Sequence, residues 1–385
     1  MHEVGMSTSE PPSHFQSLLI LNALSEVGPV TTNRLLAEFG GDACQILSAG
    51  LERLMSVRGV GDIKARSVAG WREAFDLEKE ESRMAAAGVG FLTASHAGYP
   101  PLLKEIHDPP IGLYHKGTYA PDRPCVAIVG SRRTTLYGQT VAAKLGADLA
   151  GAGFCVVSGL ARGIDTAAHE GALSAGGKTV AVLGHGIDSV YPPENLPLFR
   201  RIAQDGALLT EFPFARRADR QTFAMRNRIV SGMSVALIVV ESDIDGGSMI
   251  TAKFAGDQGR LVFAVPGRID QASSAGCHQL IRDGAALLTS VDDLLSELSY
   301  LDGLRPTAIM PNASRHECLA PPQDLSREEH LLLSCFKGGS ILSIDALCSL
   351  SGLPLPVVSV GLMRLELKRM VAKRVDGAFE ARTTP

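Results

Sequence analysis

From residue 125 to residue 288 one pattern recurs: a short apolar run, a turn residue, then a longer amphipathic stretch. The runs are Cys125–Val129, Phe154–Val157, Thr179–Leu183, Ala207–Thr210, Val235–Val240, Leu261–Val265 and Ala286–Leu288. Most are continuous rather than alternating, the mark of strands covered on both faces. Stretches between them, such as Val141–Ala152 and Thr166–Ala175, have the length and composition of covering helices. Strand and helix in alternation predict an α/β fold, an extended Rossmann-like, doubly wound parallel sheet, over residues 84–298.

Ahead of this segment, residues 15–76 carry helical periodicity and no strand pattern. VRGVGDIKARSV, Val57 to Val68, sets two glycines at the start of a helix. EVGPVTTNRLL, Glu26 to Leu36, repeats that arrangement more weakly with Gly28 and Pro29 at the turn. The pair is similar to two helix-hairpin-helix (SAM-like) units, in which glycine amides at a helix N-terminus hold a DNA phosphate; an ordinary helical hairpin fits the same letters. Residues 1–14 are expected to be a flexible N-terminus. Residues 299–325, with Pro306, Pro311, Pro321 and Pro322 and no periodicity, read as a linker. Residues 326–385 predict helices at Arg327–Phe336 and Ile344–Leu350, a third after Pro356, and a hairpin turning at Asp376-Gly377, together a winged helix. Its third helix opens with Val357, Val358 and Ser359, poor donors for base edges, which favours a protein-contact or regulatory role. Lys368, Arg369, Lys373 and Arg374 leave nonspecific phosphate contact open.

Composition narrows the partners. A formal charge of −4 over 385 residues excludes a histone-like or polybasic protein, so any nucleic-acid surface must be a local patch. Cys44, Cys125, Cys155, Cys277, Cys318, Cys335 and Cys348 form no CxxC pair and no zinc-spaced cluster, which points to thiols of a reducing compartment and to no metal site. The N-terminus is not basic and the apolar run Leu18–Leu21 is far too short to span a membrane, so a cytoplasmic protein without membrane contact is expected.

Ligands of open α/β sheets bind beyond the carboxyl ends of the strands, and there the sequence places glycine-rich loops. The first holds Gly130, Ser131, Arg132 and Arg133, the second Ser158, Gly159, Arg162 and Gly163, the third Gly184, His185 and Gly186, and the fifth Gly246, Gly247 and Ser248. Glycine lets backbone N–H groups approach a phosphate, and helix starts add aligned amides. The fourth loop concentrates charge: Arg216, Arg217, Arg220, Arg226 and Arg228 face only Glu211 and Asp219, with Phe223 and Asn227 among them. Phosphates demand charge and unstacked bases a π face, so this composition suits single-stranded nucleic acid. Phe223 fits equally as a core residue at the head of the helix MRNRIVSGM.

No GxGxxG fingerprint and no Walker sequence occurs, and the Arg132-Arg133 pair stands where a dinucleotide site has small residues, so no cofactor is expected. Asp165, His169, His185, Asp188, Glu194 and Glu241 form no HExxH, GxSxG or close carboxylate pair. Asp165 reads as a helix cap and Glu241 as a buttress for Asp245-Gly246-Gly247.

Taken in order, GSR (130–132), SGLARGID (158–165), GHGID with YPPEN (184–195), RNRIVSG (226–232), GGSMITA (246–252), VPG (265–267) and GCHQLIRDGA (276–285) resemble the DprA/Smf family, DNA-processing protein A. The helical front and winged-helix tail are similar to flanking domains common in that family. The resemblance implies a nonenzymatic protein that binds and protects single-stranded DNA during natural transformation and homologous recombination, helps load the recombinase RecA, and dimerises through its Rossmann domain. It implies Arg132, Arg220 and Phe223 as DNA contacts. The chain departs from the family form in having Phe223-Ala224 where Phe-Pro is common, which removes a proline constraint there. Two rivals remain. One is a nucleotide phosphoribohydrolase with a related Rossmann domain, whose PGGxGT loop is here DGGSMIT; the other is a winged-helix regulator with a ligand-sensing domain.

Overall fold

The computed structural model describes residues 11–118, 123–299, 325–336, 340–374 and 376–381. Most of the expected linker and residues 1–10 of the expected N-terminal tail lie outside the described residues. Helix α1 (His14–Ala23) starts at a capping box, in which the Ser13 hydroxyl accepts from the Gln16 amide and the Gln16 side chain accepts from the Ser13 amide. Pro29 follows Gly28 as the first residue of α2 (Pro29–Glu38). With α3 (Ala43–Ser48), α4 (Leu51–Met55), α5 (Asp62–Ala69) and α6 (Trp71–Ala74), these helices close around Leu21, Leu35, Ile46, Leu54 and Val68. The two expected glycine turns fall between α1 and α2 and between α4 and α5.

Helix α7 (Leu77–Ala87) opens at an Asp76 cap and ends at Gly88. It runs through the boundary expected at residue 84, and by packing it belongs with the sheet: Met84 lies with Phe91, Tyr114 and Leu208. Its Glu80, almost fully buried, accepts from the Tyr114 hydroxyl (2.8 Å) and the Phe214 amide (3.0 Å).

The chain then runs β1 (Gly90–Thr93), β2 (Gly112–Gly117), β3 (Cys125–Val129), α8 (Leu136–Gly151), β4 (Cys155–Ser158), α9 (Ile164–Ser174), β5 (Thr179–Val182), α10 (Leu196–Asp205), β6 (Ala207–Thr210), α11 (Arg220–Gly232), β7 (Ala236–Val239), α12 (Gly247–Asp257), β8 (Leu261–Ala264), α13 (Ala272–Arg282), β9 (Ala286–Leu287) and α14 (Val291–Leu298). One nine-stranded sheet has the order β1-β2-β6-β5-β4-β3-β7-β8-β9. Strands β3 to β9 are parallel, each at a predicted apolar run. β1 and β2, which the apolar runs do not predict, extend that sheet antiparallel at the β6 edge. Helices α8, α9 and α14 cover one face, and α11, α12 and α13 the other.

The C-terminal unit comprises α15 (Arg327–Cys335), β10 (Ile341–Leu342), α16 (Ile344–Ser351), α17 (Leu355–Leu367), β11 (Val371–Lys373) and β12 (Phe379–Ala381), with its sheet ordered β10-β12-β11. This is the expected winged helix with one further strand, β10. Val358 of the apolar opening turn belongs to its core with Leu332, Leu347, Leu362 and Leu365. Glu380 joins it to the central sheet: buried, it accepts from the Leu136 amide at 2.8 Å and from Arg374 at 3.4 Å. No single helix among the described residues is long and apolar enough to cross a membrane.

The Glu80 contacts give a stability test. Glu80→Ala leaves two buried donors without an acceptor, each costing about 1–3 kcal/mol, so thermal unfolding of the full chain is expected several degrees lower. An unchanged melting temperature would mean that α7 is not held by this carboxylate.

Candidate nucleic-acid interface

β3 and β7 are neighbours, yet the chain leaves β3 toward β4 and β7 toward β8, in opposite directions across the sheet. The loops that follow them part, which opens a crevice at the switch point. That crevice measures about 700 Å³ and is lined by residues 130–133 and 242–248, by Asp165, and by the cleft face of α11.

The loop after β3 is braced from beneath. Glu241, buried, accepts from the Thr134 hydroxyl (2.5 Å), the Thr135 hydroxyl (2.5 Å) and the Thr135 amide (2.9 Å). It therefore buttresses the Thr134-Thr135 turn and not the expected Asp245-Gly246-Gly247 loop. The Glu241 carbonyl takes the Ser131 amide (2.7 Å), and the Ser131 carbonyl takes the Ile164 amide (3.3 Å). Gly163, at φ +80°, permits this contact, since a Cβ there would lie 2.4 Å from the Ser131 oxygen. Gly130 packs against Ile164 and the Glu241 carbonyl. The backbone thus holds Arg132 and Arg133 outward, both exposed.

α11 begins at Arg220, five residues before the expected helix start at Met225, because Asp219 forms a capping box with Thr222. Arg220, Phe223, Ala224 and Asn227 then fall at helical spacing on the crevice face. The Arg132 guanidinium lies 5.0 Å from the Phe223 ring centroid. Phe223 is half-buried and covers Gly184, so it is neither a core residue nor free.

The other two arginines of the helix turn inward. Arg226 Nη1 donates to the carbonyls of Gly159 (2.7 Å) and Val182 across the ends of β4 and β5. Burial pushes its guanidinium down to about 10, against the opposing pull of Asp165. Asp165 sits inside the first turn of α9 rather than capping it, and accepts from the Gly159 (3.1 Å) and Ala161 (3.2 Å) amides. Burial raises the Asp165 carboxyl, and Arg226 works in the other direction. Arg228 pairs with Glu211 (2.6 Å) and Asp108 (2.9 Å), away from solvent. His169, wholly buried, meets the Thr179 hydroxyl through Nδ1 at 2.7 Å, and burial followed by the Arg226 charge holds it down at about 3.

Several expected contact residues also brace the loops from inside. Ser158 donates to the Ile128 carbonyl (2.6 Å), and His185 lies within 2.9 Å of the Gly186 carbonyl and the Ser189 hydroxyl, both side chains being buried. The Gly186 amide donates to the Arg216 carbonyl (2.9 Å), and Ser248 donates to Ser242 (2.7 Å). Arg162 is exposed but paired with Glu194, as Arg216 is with Asp219. Gly246 and Gly247 line the crevice, with Asn227 Nδ2 at 3.4 Å from the Gly247 carbonyl. Outside it, His14, Asp42 and Cys44 bring three possible metal donors within 4.8 Å, although Asp42 already caps α3. The sequence reading missed Tyr191, a half-exposed ring beside Phe223, and the acidic rim of Asp243 and Asp245. YPPEN contained the first signal, and the second was hidden by the neighbouring glycines.

Residues 90–299 match the family described as DNA recombination-mediator protein A, and residues 318–377 match the DprA winged helix domain. The chain belongs to the DprA/Smf family. Its DprA relatives include Protein Smf of Synechocystis, 32% identical over 92% of this chain and 96% of that one. Among solved structures, DprA of Streptococcus pneumoniae is 34% identical with a TM-score of 0.65, covering 75% of this chain and 99% of its own. DprA of Helicobacter pylori, whose structure concerns its single-stranded DNA binding mode, is 29% identical with a TM-score of 0.50, covering 55% and 96%.

Two outcomes follow for the buried groups. Arg226→Ala leaves the Gly159 and Val182 carbonyls without their donor, at about 1–3 kcal/mol each in urea unfolding, whereas Arg132→Ala at the surface should stay within about 0.5 kcal/mol. His169 titrates near 6.5 when unfolded but about 3 when folded, so the unfolded chain binds the extra proton between those values. Its stabilisation is complete above pH 6.5 and is lost as pH falls, by up to about 1.4 kcal/mol per unit. Urea titrations at pH 7.5 and 5 should show that slope in the native chain and a shallower one in His169→Gln; equal slopes would contradict the assignment.

Proposed function

We propose that this protein binds single-stranded DNA along the switch-point crevice, without catalysing a reaction on it, and serves recombination by protecting the strand and helping to load RecA. The observation that carries the reading is the exposed Arg132 guanidinium 5.0 Å from the half-buried Phe223 ring, both lining the crevice. A phosphate and an unstacked base find complementary groups side by side there. Arg132, Arg133 and Arg220 take phosphates and Gly246 and Gly247 keep the backbone approachable, whereas Gly130, Gly159 and Gly163 serve close packing inside the loops, Gly159 under the Arg226 guanidinium and Gly163 against the Ser131 carbonyl. Arg226, Arg228, Ser158 and His185 serve by bracing the loops. The polar groups that a hydrolytic reading would recruit are engaged in structure: Asp165 with loop amides, Glu241 with threonines, Glu194 with Arg162.

The protein acts as a homodimer in this proposal, with α13, β9 and α14 as the contact. β9 is an edge strand, and Leu287 on it is half exposed. Two subunits on one strand raise the effective concentration, so long oligonucleotides should bind much more tightly than short ones. A monomer by sedimentation, with no length dependence, would remove the dimer.

The deciding experiment compares single-stranded and duplex DNA of one sequence across a salt series, with nucleoside monophosphates incubated in parallel. Preference for the single strand and no released base are expected; appreciable base release would favour the phosphoribohydrolase. Arg132→Ala should lower the slope of log K against log salt by about 0.7. Phe223→Ala should cost about 1–3 kcal/mol of binding while shifting the melting temperature by only a few degrees. A large loss of stability would return Phe223 to the core.

A further inference from the structure

The segment after β5 presents a second ring. Tyr191 is 41% exposed, its centroid lies 5.4 Å from that of Phe223, and the two planes meet at 42°. Rings so inclined do not stack fully on one another. Tyr191 belongs to none of the buried apolar clusters among the described residues. The segment that carries it is anchored four residues on, where Asn195 Nδ2 donates to the Leu160 carbonyl and the Thr166 hydroxyl, each at 2.9 Å. A ring on an anchored loop, facing solvent, is preorganised for a flat ligand.

Charge stands beside it. Arg162, three residues past Gly159, holds Glu194, three residues past Tyr191, through both Nε and Nη2, the latter at 3.1 Å. Both members of this ion pair are about half exposed, so it is only weakly held and open to exchange with another anion. A guanidinium presented to a carboxylate in this forked way is equally suited to a phosphate.

We propose that Tyr191 and Arg162 form a second nucleotide subsite for the same strand. Tyr191 takes the base next to the one on Phe223, and Arg162 takes a phosphate between them, with Glu194 occupying the guanidinium until the phosphate displaces it. The 5.4 Å between rings exceeds the about 3.4 Å rise of a stacked strand, which suits neighbouring bases held apart in an extended chain. The inference rests on the single-strand reading of the crevice.

The test is equilibrium binding of the full chain to an oligothymidylate and to a wholly abasic strand of the same length. Tyr191→Ala should weaken oligothymidylate binding about 5- to 150-fold with little change in melting temperature, lose much less on the abasic strand, and be rescued by Tyr191→Phe. Glu194→Gln should tighten both strands by up to about fivefold by releasing Arg162. Native-like affinity of Tyr191→Ala, or equal losses on both strands, would overturn the stacking role; unchanged or weaker binding by Glu194→Gln would overturn the displacement. Arg132→Ala run alongside separates the two levels. If it weakens binding while Tyr191→Ala does not, only the second subsite fails, and if neither weakens binding, the crevice itself is not the DNA site.

Discussion

The guanidinium of Arg226 reaches from α11 beneath the carboxyl end of the sheet and joins the last carbonyls of two neighbouring strands, with Asp165 as its counter-charge. Taking such a group out of water is unfavourable by itself, and the depressed pKa records that. It is tolerated because two strand-end carbonyls meet it with little freedom to move and the Asp165 charge opposes the effect of burial. The same lack of freedom fixes the azimuth of α11. With Arg226 pointing inward, Arg220, Phe223 and Asn227 point into the crevice, and rotating the helix to free the buried charge would withdraw them. The neutral state of His169 follows too, since a second cation beside Arg226 would be opposed by burial and by charge alike.

The arginines therefore divide by environment. Those in contact with carbonyls and carboxylates build the site, while Arg132, Arg133 and Arg220, for which no acidic partner occurs among the described residues, set its potential. Asp243 and Asp245 line the same crevice, so in the proposed reading a polyanion is favoured at the arginines and opposed beside these carboxylates. A net charge of −4 is compatible with this, because steering depends on the local field and screening removes distant charge.

Much of this was legible in the letters. The seven parallel strands were readable because strands buried on both faces must be apolar without interruption. β1 and β2 escaped because both are short and of half-polar composition, β1 at the edge of the sheet and β2 between it and β6, and their residues Gly90 and Gly112 look like turn signals although each lies against a ring, His115 and Phe91. The sequence analysis begins α11 at Met225, inside a stretch grouped with the strand-end loops; the Asp219-Thr222 cap, three residues apart, is the signal for its start at Arg220. Arginine composition reports charge but not direction. Nothing in RNR distinguishes two inward guanidinia from two outward ones until the strand ends that receive them are in place. Glu241 was correctly read as a buttress, but for the wrong turn, because the turn it supports lies 106 residues earlier in the chain.

Gly159 shows what the buried clasp implies for substitution. A methyl on its α-carbon would stand 2.0 Å from Arg226 Nη1, so the guanidinium fits only where that carbon is bare. The two positions are 67 residues apart in sequence, yet neither can drift alone: a side chain at 159 evicts the arginine, and loss of the arginine leaves a polar hollow that no longer requires glycine. The two positions therefore form a single steric unit, and the candidate interface above them takes its shape from that pairing.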